Sequence, residues 1–202
     1  MTIEKGRPWG APGALPDHGV VVRSDAEARA VLEAARRDGR PYPPLGLLGG
    51  DLCRTLGGLG NPARLRSPDA VTFPVDLGEA LVDGRLFLFV AHLVARDRLW
   101  RHSFVAMNAQ WRGAWNLGPR AHPGDARLDT YRGDLRLADL PKVRARLRHG
   151  AHLPHPGITE RRRQAVQVDL GRSLAVAVDG TPVGRGRHLS VRVEPDALSV
   201  VV

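Results

Sequence analysis

The rhythm of apolar and polar positions changes near residue 70, and the change predicts two kinds of structure. Upstream, "GVVVRS" is a short, β-branched apolar run that reads as a buried strand. In "SDAEARAVLEAARRDG" the residues Ala28, Val31, Leu32 and Ala35 share one face at helical period. Ser24 and Glu27 have the spacing of a capping box, and Gly39 suits the left-handed position after a helix end. Beyond the Pro-rich "RPYPP", the run "LGLL" predicts a second buried strand. A glycine-bounded turn then leads into a helix over "DLCRTLG". Strand, helix, strand, turn and helix make a βαβ unit, which predicts a parallel strand pair.

Downstream, the segments "AVTFPVDLG", "GRLFLFVAHLVA", "HSFVAMNAQW", "QAVQVDLG", "SLAVAVDG" and "HLSVRVEPDALSVVV" read as strands broken by Gly, Pro and Asp. Val166, Val168 and Leu170 alternate with Gln167 and Asp169, the pattern of a half-buried strand. "VDG" and "EPDA" carry hairpin-turn chemistry. A helix is expected over "LADLPKVRARLRHG", with Pro141 in its first turn. The Gly- and Pro-rich residues 1–19 predict a loose arm. The expected class is α+β: a small α/β piece over 20–69, then a larger antiparallel β domain over 70–202.

Composition narrows the partners. The 202 residues are enough to bury a core, and 43% hydrophobic with 25% charged residues is the balance of a globular protein. No apolar run approaches the roughly 20 residues that span a bilayer. The start, "MTIEKGRPWGAPGALPDHG", lacks the apolar middle of a secretory signal, so a cytoplasmic location is expected. Cys53 is the single cysteine, which rules out an internal disulfide. The net charge of +9 raises nucleic acid or an anionic lipid as partners. Its one dense cluster is Arg144, Arg146, Arg148 and Arg161 to Arg163, either a solvated basic face or a binding patch. Aromatic residues are only 5% and do not interleave with the basic ones, so no specific nucleic-acid binding is expected.

Four stretches could carry chemistry. Gly49, Gly50 and Asp51 form a glycine turn between a strand and a helix, which can present N–H groups to a phosphate or serve simply as a capped turn. No Walker lysine accompanies it. Asp179 stands at the "VDG" hairpin tip, either as an ordinary turn residue or as a general base. Asp125 and Asp129 lie in a loop whose oxygens could hold Mg²⁺, or only shape a turn. His149, His152 and His155 recur every three residues, but Pro154 and Pro156 interrupt any helix that would align them on zinc.

Taken in order, these segments resemble the diacylglycerol kinase catalytic family of bacterial lipid kinases, related to the sphingosine kinases. "LGLLGGDLCRTLGG" looks like that family's Gly-Thr-Gly-Asn-Asp turn and following helix, with the turn shortened and Asp51 in place of its last acid. "VAMNAQWRGAWNLGPRAHPGDARLD" is similar to its Asn-containing strand and Asp-Gly-x-Leu-Asp loop, matching at Asn108, Pro119, Ala121, Asp125, Leu128 and Asp129. "VDGTPVG" resembles its Asp-Gly-Glu hairpin, with Thr181 where the family has an acid. The resemblance spans about residues 20–202 and implies a truncated nucleotide-binding half followed by a β-sandwich-like domain. It also implies ATP- and Mg²⁺-dependent phosphorylation of a diacylglycerol-type hydroxyl. In that scheme Asp179 acts as base, Asp125 and Asp129 support Mg²⁺, and Gly49, Gly50, Asp51 and Asn108 bind the nucleotide. The family's Asn-Pro-x-Ser-Gly turn and Gly-Gly-Asp-Gly-Thr loop find no match here. The alternative expectation is therefore a non-catalytic module that engages an anionic membrane surface, a lipid or a protein. A short parallel sheet with an exposed edge adds self-association to the expected partners.

Overall fold

The computed structural model describes residues 9–202. In chain order the elements are β1 (Ala11–Pro12), β2 (Val20–Val22), α1 (Asp25–Arg37), β3 (Leu45–Leu47), α2 (Asp51–Thr55), β4 (Val71–Val82), β5 (Arg85–Phe89) and β6 (His92–Arg96). They continue as β7 (His102–Met107), β8 (Leu128–Asp134), α3 (Leu140–Leu147), β9 (Ile158–Arg163), β10 (Ala165–Val178) and β11 (Thr181–Val201).

The βαβ unit forms as its sequence predicts. Ser24 Oγ accepts the Glu27 N–H at 3.2 Å, while the Glu27 carboxylate accepts from Arg23 N–H rather than from Ser24. Ala28, Leu32 and Ala35 are buried, and Gly39 takes φ +63° just beyond the helix. β2 and β3 pair in parallel. The end of β11 also pairs in parallel with β3 while running antiparallel to β4, so one sheet crosses the expected boundary near residue 70.

The rest of that sheet is antiparallel, in the order β1-β4-β11-β10-β6-β7-β8-β9, with β5 added to β4. Leu32, Leu52, Leu77 and Val200 pack α1 and α2 against it. Phe89, Leu93, Phe104 and Val178 form a second core on the antiparallel strands. α3 covers a third, made with Val105, Tyr131 and Leu135.

Four expectations need revision, the first being "GRLFLFVAHLVA", which is two strands, β5 on β4 and β6 between β10 and β7, with a corner at Val90 and Ala91. Of the loose arm, residues 1–8 lie outside the described residues. From Trp9 onward it is packed: the indole lies 4.8 Å from the Phe73 ring and donates to Pro74 O, and Leu15 is buried. "EPDA" is not a hairpin. Asp196, at φ +51°, marks a bulge inside β11 where the register to β4 shifts between Glu194 and Leu198. "QAVQVDLG" and "SLAVAVDG" are one strand, β10, with an irregularity between Asp169 and Leu174. Asp179-Gly180, by contrast, is the tip of a tight hairpin, with φ +47° and +77°.

Candidate functional site

The C-terminal ends of the parallel strands β2 and β3 both open into helices, and the two first turns meet. Gly49 and Gly50 make the second turn possible. A Cβ on Gly49 would come 2.5 Å from Arg23 O, and one on Gly50 would come 2.5 Å from Asp25 Oδ1. Gly50 also adopts φ +99°, which few side chains tolerate.

Asp25 is what the turn closes around. Its Oδ2 accepts from Asp51 N–H at 2.6 Å and its Oδ1 from Leu52 N–H at 3.1 Å, so one carboxylate takes two donors at the start of α2. Burial, then the charge of Asp179, push the Asp25 carboxyl up to about 6 against those two hydrogen bonds. Asp51 points elsewhere. Its Oδ2 meets His92 Nε2 at 2.9 Å and its Oδ1 accepts from Gly113 N–H at 2.7 Å. Burial works to raise the Asp51 pKa, but the His92 hydrogen bond and charge and the Gly113 N–H outweigh it and leave it low.

Asp179 completes the cluster from the β10–β11 hairpin. Its Oδ2 accepts from Val90 N–H at 2.9 Å, and its Oδ1 from Ala91 and His92 N–H at 2.9 and 3.0 Å. Its own N–H donates to His92 O. The residue is only 7% exposed, and burial raises its pKa. Asn108 grips the same Val90–His92 corner through other atoms. Its amide donates to Val90 O and Asp76 O, and its N–H donates to Ala91 O.

Gly49, Gly50, Asp51 and Asp179 are thus brought together, and Asn108 stands next to them as a backbone clamp. Asp25 and His92 belong to the cluster but carry no recognisable motif. Their one signal in the sequence is local: an acid at the first position of the helix that follows a parallel strand, and a histidine inside the apolar run "FVAHLVA".

Asp125 and Asp129 share a different partner. Arg162 pairs with Asp125 and its Nε lies 3.8 Å from Asp129 Oδ1, so a guanidinium stands between the two carboxylates expected to hold Mg²⁺. Burial, then the charge of Glu160, raise Asp129 to about 6. The same loop is held by Asp76, whose carboxylate accepts from Ala126 N–H and Asp196 N–H. Among the described residues, no set of three or more His, Cys, Asp or Glu side chains is disposed to hold a metal ion. Of the three histidines, His152 is buried beneath α3 and His155 Nδ1 accepts from Gly157 N–H. Cys53 is buried, and burial pushes its thiol pKa up.

An apolar cavity of about 50 Å³ lies between α3 and the β7–β8 pair. Among the described residues no helix is long and apolar enough to cross a membrane.

No protein-family model and no curated protein matches the chain in sequence. Solved structures do match it in fold. A protein from Bacillus anthracis str. Sterne assigned as a diacylglycerol kinase superposes with a TM-score of 0.67 at 12% identity, over 91% of this chain and 77% of that one. A diacylglycerol kinase structure from the same organism gives 0.60 at 13% identity, over 91% and 75%. The chain therefore has a diacylglycerol-kinase-like fold, at an identity where only the fold carries across.

Proposed function

We propose that this chain is a lipid-binding protein on a lipid-kinase fold, with its phosphate-facing turn sealed from within. The observation that carries this reading is the Asp25 carboxylate seated on the Asp51 and Leu52 N–H groups. Those are the donors a phosphate would need at this turn. An ionised Asp25 also sets a negative charge where phosphate would bring more. Two like charges 4 Å apart repel by about 4 kcal/mol near a protein surface.

Asp179 supports the same reading. A general base must reach a substrate hydroxyl at hydrogen-bond distance. Here both carboxylate oxygens are engaged by backbone N–H groups, and the residue is almost wholly buried. The residues present do not fit the phosphates of a nucleotide at this turn, and Arg162 fills the place between Asp125 and Asp129. The apolar cavity under α3 and the fold shared with diacylglycerol kinases point to a lipid as the partner.

The rival reading is an ATP-dependent lipid kinase with Asp179 as base. The convergence of Gly49, Gly50, Asp51 and Asp179 on one cluster favours it. Calorimetric titration with Mg-ATP separates the two. The sealed turn predicts no saturable heat; one-to-one binding that Asp51→Asn removes would overturn the sealed turn.

A further inference from the structure

The N-terminal half of β10 has an open edge. β10 pairs with β6 only over Ala175–Val178, so residues 165–169 have β11 on one side and, among the described residues, no strand on the other. Which groups point outward follows from the register. Val193 N–H donates to Gln164 O at 2.9 Å, and the pairing then runs without a shift from Ala165↔Arg192 to Asp169↔His188. Bonded pairs alternate along an antiparallel ladder, so Val166 and Val168 turn their N–H and C=O toward β11. Ala165, Gln167 and Asp169 turn theirs away, and among the described residues no strand or turn takes them up. All three residues are exposed. Neither Ala165 nor Gln167 carries the charge or the ring that blunts an edge in other sheets.

This edge borders an open groove of about 280 Å³ whose far wall is formed by β8 and β9. Phe104, Val166 and Val168 give the groove apolar contact. The register Thr130↔Arg161 and Arg132↔Thr159 puts these four side chains on one face, with the two arginines on a diagonal. Arg162 lies on the opposite face, with Asp125 and Asp129. Arg132 and Arg161 are exposed, and among the described residues they form no ion pair and no ring contact. Asp169, the acid on the groove, is taken by Arg187. An unused hydrogen-bonding edge and two free guanidinium groups therefore face one space.

The spacing names the partner. Diagonal neighbours on an antiparallel pair lie about 7–8 Å apart. Alternate residues of an extended chain lie about 7 Å apart on one face. Two carboxylates separated by one residue on an added strand thus match the two arginines. We propose that this groove takes an extended acidic peptide, of the pattern acid-x-acid, as a strand added to β10. Its main chain bonds the outward groups of Ala165, Gln167 and Asp169, and its alternate carboxylates pair with Arg132 and Arg161. The net charge of +9 draws such a segment in. The assignment goes beyond the lipid reading and does not depend on the sealed turn.

Fluorescence anisotropy of labelled Val-Thr-Glu-Thr-Glu-Thr-Ser, titrated with the full chain, tests it. The peptide binds saturably. Arg132→Gln and Arg161→Gln each weaken it about fivefold, the upper range for one exposed charge pair, and glutamine in place of both glutamates weakens it about twentyfold. Every second N–H of an added strand faces β10, so N-methylation of one alternate set of peptide residues abolishes binding and of the other set is tolerated. Gln167→Pro removes an N–H that β11 does not use and closes the edge, which abolishes binding. Should Gln167→Pro fail to fold, the arginine variants and the methylated peptides decide. Equal loss from either methylated set, undiminished binding of the glutamine form, indifference to both arginine variants, or no binding at all overturns the assignment. So does binding of oligothymidylate without binding of the peptide, which would make the two arginines a nucleic-acid surface.

Discussion

At the scale of single residues, the buried carboxylates serve the backbone. Asp25, Asp76 and Asp179 each accept two or three main-chain N–H groups and make no ion pair among the described residues. For Asp76 this arrangement makes stability depend on pH. Burial pushes its carboxyl up to about 6, from 3.8 for an unperturbed aspartate. Between those values the folded chain holds a proton that the unfolded chain has released, so stability falls as pH rises from about 4 to about 6. Urea midpoints measured across that window should decline in the wild type and decline less steeply in Asp76→Asn. Equal slopes for the two proteins would mean that Asp76 keeps an ordinary pKa.

At the scale of elements, the β10–β11 hairpin is locked to the β5–β6 corner by one side chain at its tip. Truncating Asp179 to alanine strands three buried N–H groups and should cost on the order of 3 kcal/mol by urea denaturation. A loss well under 1 kcal/mol would show that the clamp is dispensable. The elements also differ in how legible they are in the chain. α1 is readable because its apolar face repeats at helical period over 13 residues, with a serine cap before it. The bulge at Asp196 reads as a hairpin because Pro-Asp favours left-handed and turn backbone in either setting. Only pairing with β4, more than a hundred positions away, decides between them. The Asp25 contact spans 26 residues and depends on β2 and β3 lying side by side, which no local pattern shows. Asp179 stands out in the sequence as an Asp-Gly hairpin tip, but its three bonds to the Val90–His92 corner leave no mark there.

At the scale of the whole molecule, β11 makes one sheet out of two kinds of strand. Its body joins the antiparallel strands and its end joins β3, while His92 links the Gly49–Asp51 turn to the hairpin that carries Asp179. Within that cluster Asp25 takes the Asp51 and Leu52 N–H groups, Asp51 meets His92, and Asp179 takes the N–H groups of the Val90–His92 corner. The apolar cavity under α3 lies apart from that cluster on the β7–β8 side of the sheet. The most direct measurement is transfer of radiolabelled phosphate from Mg-ATP to dioleoylglycerol in mixed micelles. The account predicts no labelled lipid above the protein-free control. Labelled product that disappears in Asp179→Asn would contradict it.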